Sequence, residues 1–151
     1  MHTLVRQFIK TAIGFLAAGL AIGGWMVARR ELFDRFPSTY VTSAHTHAIF
    51  VGFVMMMIMG VALWLFPRPD RQDERYRPGV VMASYWLVTI GTAGRVFGEL
   101  LRPTTAAFWL RMAVVAFSVA QIAGILLFFY TMWSRIRPLG SRSREEKGER
   151  F

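Results

Sequence analysis

The sequence predicts an all-α protein, an integral membrane four-helix bundle with its N- and C-termini cytoplasmic. Three observations carry this expectation. Hydrophobic residues make up 54% of the 151-residue chain. They gather in four blocks, residues 7–28, 44–66, 79–101 and 107–133, each long enough at about 1.5 Å per residue to cross a hydrocarbon layer about 30 Å thick. Most of the 18 lysines and arginines lie between those blocks or near their ends and are shared unequally between the two sides, as the positive-inside bias requires. Arg6 and Lys10, the loop arginines Arg68, Arg71, Arg75 and Arg77, and the C-terminal group from Arg135 to Arg150 fall on one side. Arg29, Arg30, Arg35, Arg95, Arg102 and Arg111 form the smaller group on the other.

The net charge of +9 is thereby assigned to membrane topology, so the expected partner is a lipid bilayer and no nucleic acid. The four-helix domain is expected over residues 1–137, with a polar, charged and disordered cytoplasmic tail over 138–151. Cysteine is absent, which excludes disulfides, thiolate metal sites and cysteine nucleophiles.

The first block begins after a short basic stretch and is closed by Arg29-Arg30. It is too long for a typical signal-peptide core and reads as an uncleaved helix. Gly19 and Gly23 form a GxxxG that permits close helix contact. Pro37 and Ser38 interrupt the chain, Ser43 is the expected N-cap of the second helix, and Trp25 and Tyr40 suit an interfacial belt.

The second block carries the chemistry. His45 and His47 sit at its mouth, and no other ionisable side chain follows until Arg68. An ionisable or metal-ligating group at membrane depth is costly and raises a functional hypothesis by default. On a helix the two residues point about 200° apart, so a regular first turn cannot aim both at one ligand. The face of His45 continues through Ile49, Gly52, Met56, Gly60 and Leu63 and contains two glycines, which lets a flat ligand or a neighbouring backbone approach. His45 is therefore the expected buried ligand, and His47 the group beside it.

The third block ends in Arg95, Glu99 and Arg102, spaced to pair along one helix face. Arg95 and Arg102 are candidates to hold a bound carboxylate, since guanidinium matches carboxylate bidentately. An Arg95–Glu99 pair that only staples the helix end is the other reading. Thr104 or Thr105 can cap the fourth helix, which passes Arg111, a small-residue face of Ala113, Ala116, Ala120 and Gly124, and the mid-membrane Gln121, expected to hydrogen-bond another helix. It closes on an interfacial anchor of Trp133, Arg135 and Arg137.

The chain has three histidines, and His2 is expected on the opposite side of the membrane, so a three-histidine copper or iron centre cannot form within one chain. No nucleophile–base set, paired membrane carboxylates or phosphate loop is visible. One or two imidazoles with arginines at the same height remain, and imidazole suits haem iron and copper. A second axial ligand could come from His47, from Met112, or from a two-fold partner's copy of His45; an open site is the fourth option.

The stretch His45-Thr46-His47-Ala48-Ile49-Phe50-Val51-Gly52-Phe53, followed by Gly60 and Leu63-Trp64-Leu65-Phe66-Pro67-Arg68, resembles the second transmembrane helix of haem–copper oxidase subunit I. The likeness is greatest to the cbb-type oxidases and nitric oxide reductases. Gly91-Thr92-Ala93-Gly94-Arg95-Val96-Phe97-Gly98-Glu99 and Phe128-Phe129-Tyr130-Thr131-Met132-Trp133 also resemble the next two helices of small homologues. The resemblance implies that His45 is an axial ligand of a low-spin haem b. It implies no oxygen or nitric oxide reduction by this chain alone, because the helices that supply the second ligand and the binuclear-centre histidines have no counterpart.

The resulting expectation is a haem-b-binding membrane module acting in electron transfer or gas-ligand binding. Its cofactor site comprises His45, His47, Gly52, Met56, Arg95, Arg102 and Arg111, with His45 and His47 as the metal ligands. A homo-oligomer or respiratory complex subunits are the expected protein partners. A bacterial or archaeal plasma membrane is the expected location, with the two histidines near the outer face. The alternatives are a cofactor-free accessory or assembly subunit and a copper-handling protein that uses His45, His47 and methionines.

Overall fold

The computed structural model describes residues 3–67, 77–136 and Gly148. His2, the loop arginines Arg68, Arg71 and Arg75, and the tail expected over 138–151 apart from Gly148 lie outside the described residues. Among the described residues the chain is all-helical. Helix α1 is Thr3–Phe33, α2 is Thr39–His47, α3 is Met56–Leu65, α4 is Pro78–Leu101 and α5 is Phe108–Met132. A π-helical stretch, Ala48–Met55, joins α2 to α3 without a break, so that Thr39–Leu65 forms one span. All four spans are long and apolar enough to cross a membrane.

The second span begins earlier than its hydropathy suggests. Ser38, not Ser43, is the N-cap: its extended backbone lets Oγ accept from the Val41 amide at 3.5 Å. Ser43 lies a turn inside the helix and uses its hydroxyl elsewhere. At the start of α5 neither threonine caps the helix end as expected. Thr104 Oγ1 donates to the Leu101 carbonyl at 2.8 Å, and Thr105 Oγ1 accepts from the Ala107 amide at 3.3 Å, which holds the turn between the helices.

The core lies at the end of the bundle away from His45. Phe8 of α1 meets Tyr85 of α4 and Phe128 of α5 edge-on, with ring centroids 5.1 and 5.9 Å apart. Met56, Met59, Val81, Val88 and Met132 fill the space around them, and Thr11 bonds the Tyr85 hydroxyl at 2.8 Å. Methionine suits such a junction because its unbranched side chain adapts to irregular gaps.

Helices α4 and α5 pack closely through glycine. A Cβ on Gly91 would lie 2.6 Å from the Gln121 amide nitrogen and 2.8 Å from the Phe117 carbonyl oxygen. Those are backbone atoms that cannot yield, so this approach requires glycine. Gln121 bonds across the same interface, donating from Nε2 to Thr92 Oγ1 at 3.0 Å. The α5 face that packs runs through Val114, Phe117, Gln121, Gly124 and Phe128, and Ala116 of the expected small-residue face is exposed.

Arg135 is a second departure. In place of an exposed interfacial anchor, it is 3% exposed. Its Nε donates to the Pro67 carbonyl at 2.8 Å, and its Nη2 donates to those of Leu63 and Phe66 at 3.1 and 3.0 Å. A helix leaves its last carbonyls without intrahelical partners and carries partial negative charge there. One guanidinium from the end of α5 satisfies that end of α3.

Candidate functional site

The two histidines lie in regular helix at the end of α2 and turn to opposite sides of it. His45 faces α1. Its Nδ1 is 2.9 Å from the Gly19 carbonyl oxygen, so this nitrogen carries the proton and donates it. Gly23, one turn further along α1, is the floor under the ring: a Cβ there would lie 2.9 Å from His45 Cε1 and 3.3 Å from Nδ1. The Gly19–Gly23 pair is thus both a helix contact and the seat of the imidazole.

In the neutral ring Nε2 then carries the lone pair, and it has no hydrogen-bond partner among the described residues. This is the arrangement in which a histidine ligates a metal: the bond at one nitrogen fixes the tautomer and orientation of the other. His45 lines an open recess of about 440 Å³ with Gly23, Met26, Val27, Arg30, Phe36, Pro37 and Thr42.

His47 faces α4. Its Nδ1 lies 2.9 Å from the Ser43 carbonyl oxygen and 4.0 Å from Glu99 Oε2. The other Glu99 oxygen accepts from Ser43 Oγ at 3.0 Å and from Arg95 Nε at 3.0 Å. Glu99 is 5% exposed, and Oε2 has no hydrogen-bond partner among the described residues. Arg95 is the partner that makes a carboxylate tolerable there, since burial without a countercharge disfavours the ionised form strongly.

The remaining expected site residues divide between these two clusters and the core. Gly52 is covered by the Phe15 ring, whose Cγ would be 2.5 Å from an added Cβ. Met56 is fully buried in the core cluster. Gly52 faces α1 and Met56 the core, and neither lines the His45 recess. Arg102 donates to Tyr40 Oη at 3.2 Å and to the Thr105 carbonyl at 3.3 Å, with its guanidinium 4.9 Å from the Tyr40 ring centre. Its guanidinium makes no hydrogen bond or ion pair with the Glu99 carboxylate. Arg111, Arg102, Tyr40 and Glu99 line a separate recess of about 220 Å³.

His45 and His47 therefore do not converge on one ion. Among the described residues no group of three or more His, Asp or Glu side chains gathers in metal-binding geometry. Met112 is exposed on α5 and does not line the recess; the methionine that shares it with His45 is Met26 of α1. Sequence reasoning missed Met26, Arg30 and the Gly19 carbonyl. Only the spacing of Gly19, Gly23, Met26 and Arg30 along one helix stripe hinted at them.

No significant match was found among curated proteins or among solved structures. The family model of cytochrome c and quinol oxidase polypeptide I matches residues 3–147, nearly the whole chain, and together with the four spans and the seated histidine at the mouth of the second it makes this chain a member of that family, the haem–copper oxidase subunit I superfamily.

Proposed function

We propose that the chain binds haem b through His45 Nε2 and serves in electron transfer or in binding a diatomic gas. One observation carries the reading: the Nδ1–H of His45 is tied to the Gly19 carbonyl at 2.9 Å while the ring rests on Gly23, beside an open recess. The donor set fits the group. A neutral imidazole of fixed tautomer is a ligand for haem iron, and the recess combines apolar walls with an arginine at its rim. When bound, such a group supplies one-electron redox chemistry or a site for a gas ligand. The chain's own part is to tie Nδ1–H and fix the direction of the imidazole, beside the apolar side chains of Met26, Val27 and Phe36.

In this reading the protein works in a bacterial or archaeal plasma membrane with His45 near the outer face, as a homodimer or among respiratory complex subunits. Family membership supports a respiratory setting. The chain's three histidines fall short of an oxidase's full ligand set, so the proposed role is a haem module, without oxygen reduction by this chain alone.

The test is the absorption spectrum of the detergent-purified protein, oxidised, then dithionite-reduced, then exposed to carbon monoxide. Haem b at about one per chain is expected. Reduced bands untouched by carbon monoxide mean two axial ligands and electron transfer. A carbon monoxide shift in the wild type means a vacant position and gas binding. Protein made with ample haem that carries none refutes the reading in favour of a cofactor-free accessory subunit.

A further inference from the structure

The recess beside His45 also selects among the arginines, an inference that rests on His45 as the ligand. Its α1 wall is the stripe Gly23, Met26, Val27 and Arg30, spaced so that all four share one helix face. Gly23 lies under the imidazole, and Arg30 is seven residues further along, about 10 Å toward the end of the bundle at the helical rise. A ligand whose flat apolar body lies level with His45, and whose acidic groups hang toward water, meets a guanidinium at that height. We propose that Arg30 binds the haem carboxylates.

Of the other arginines near this end, Arg35 does not line the recess, and the rest are committed elsewhere. Arg29 stands over the Trp25 ring, 5.0 Å from its centre, and lines a different recess. Arg95 is held by buried Glu99. Arg102 is divided between Tyr40 and the Thr105 carbonyl and, with Arg111, lines the recess on the α4 side of α2. Arg30 has only an exposed pair with its neighbour Glu31, Nε to Oε1 at 2.7 Å. Such pairs contribute little and exchange readily. Both Nη nitrogens of Arg30 are without hydrogen-bond partners among the described residues, which leaves a two-donor fork for a carboxylate.

The experiment titrates the full chain in detergent with two probes, haem b and its dimethyl ester, whose carboxylates are masked. Arg30→Gln is expected to weaken haem b binding by ~10-fold, the scale of a charge-assisted hydrogen bond, and to leave the ester's binding unchanged. Arg30→Lys should recover part of the loss, because a point charge replaces the fork. Arg29→Gln should match the wild type with both probes. Equal affinities for haem b in the wild type and Arg30→Gln would overturn the assignment, as would an equal loss of both probes, which marks a merely structural role. His45→Ala reports separately on the ligand: if it binds both probes as tightly as the wild type, the reading of His45 fails and the Arg30 inference falls with it.

Discussion

His45→Ala is expected to lose its haem on purification while keeping its helical content, and His47→Ala to keep both. The asymmetry follows from where the rings point. His45 presents a free Nε2 to a recess, whereas His47 is turned to Ser43 and Glu99 on the other side of the helix. Removing the His45 ring costs the bundle one hydrogen bond to a carbonyl already inside helix α1, so folding should survive. Haem content per chain, by absorbance against protein mass, reads the result, and imidazole added to His45→Ala should restore part of the spectrum. Gly23→Ala tests the seat of the ring. A methyl group there would sit 2.9 Å from Cε1 and tilt the ring, and a loss of about 10-fold in affinity is expected, the scale of disturbing a ligand's supporting contacts. Equal haem in His45→Ala and wild type would end the assignment.

Arg135→Met is expected to be the most destabilising single change at the opposite end of the bundle. It removes the donor to the carbonyls of Leu63, Phe66 and Pro67 and leaves them facing an apolar side chain. Hydrogen bonds to a charged group contribute roughly 1.5–3 kcal/mol each, and orphaned buried acceptors add their own cost. All three bonds share one guanidinium and two are only part-buried, so a total of about 3 kcal/mol, below the simple sum, is expected to lower the melting temperature by about 6–12 °C for a chain of this size. Thermal unfolding in detergent checks it, with Arg135→Lys expected between the two. A shift within about 1 °C, the scale of an ordinary surface substitution, would mean that the guanidinium does not bind these carbonyls in the folded protein.

Much of the architecture is legible in the sequence, because spans need only length and apolarity. The Arg95–Glu99 pair and the Gln121 cross-link were also readable, the first from spacing and the second from the cost of an amide at mid-membrane. The seat of His45 was not. Gly19 and Gly23 belong to a motif frequent in any apolar helix, and the acceptor is a backbone carbonyl with no side-chain signature, 26 residues from its donor. Arg135 was misread for a similar reason. A basic residue after an aromatic cluster looks like an interfacial anchor, and only the fold brings the end of α3 beneath it. The clusters around His45 and His47 could be separated from the angular offset of the two residues, but not which arginine would join which. That choice depends on the neighbouring helices, α1 for one and α4 for the other.

The π-helical stretch Ala48–Met55 has a consequence for how the second span tolerates change. Gly52 packs on Phe15 and Gly60 on Phe8 and Ile9, all on α1. Eight residues of regular helix would leave those two glycines about 80° out of line, and the slower winding of a π stretch brings them back into phase. The stretch therefore acts as a gear between two halves of one helix, with the imidazole on the upper half and the methionine core on the lower. The loss of one residue from Phe53–Met55, with the stretch closing to regular helix, would leave the two glycines within about 20° of alignment, so this stretch is where the span takes up an extra residue without turning His45 away from Gly19.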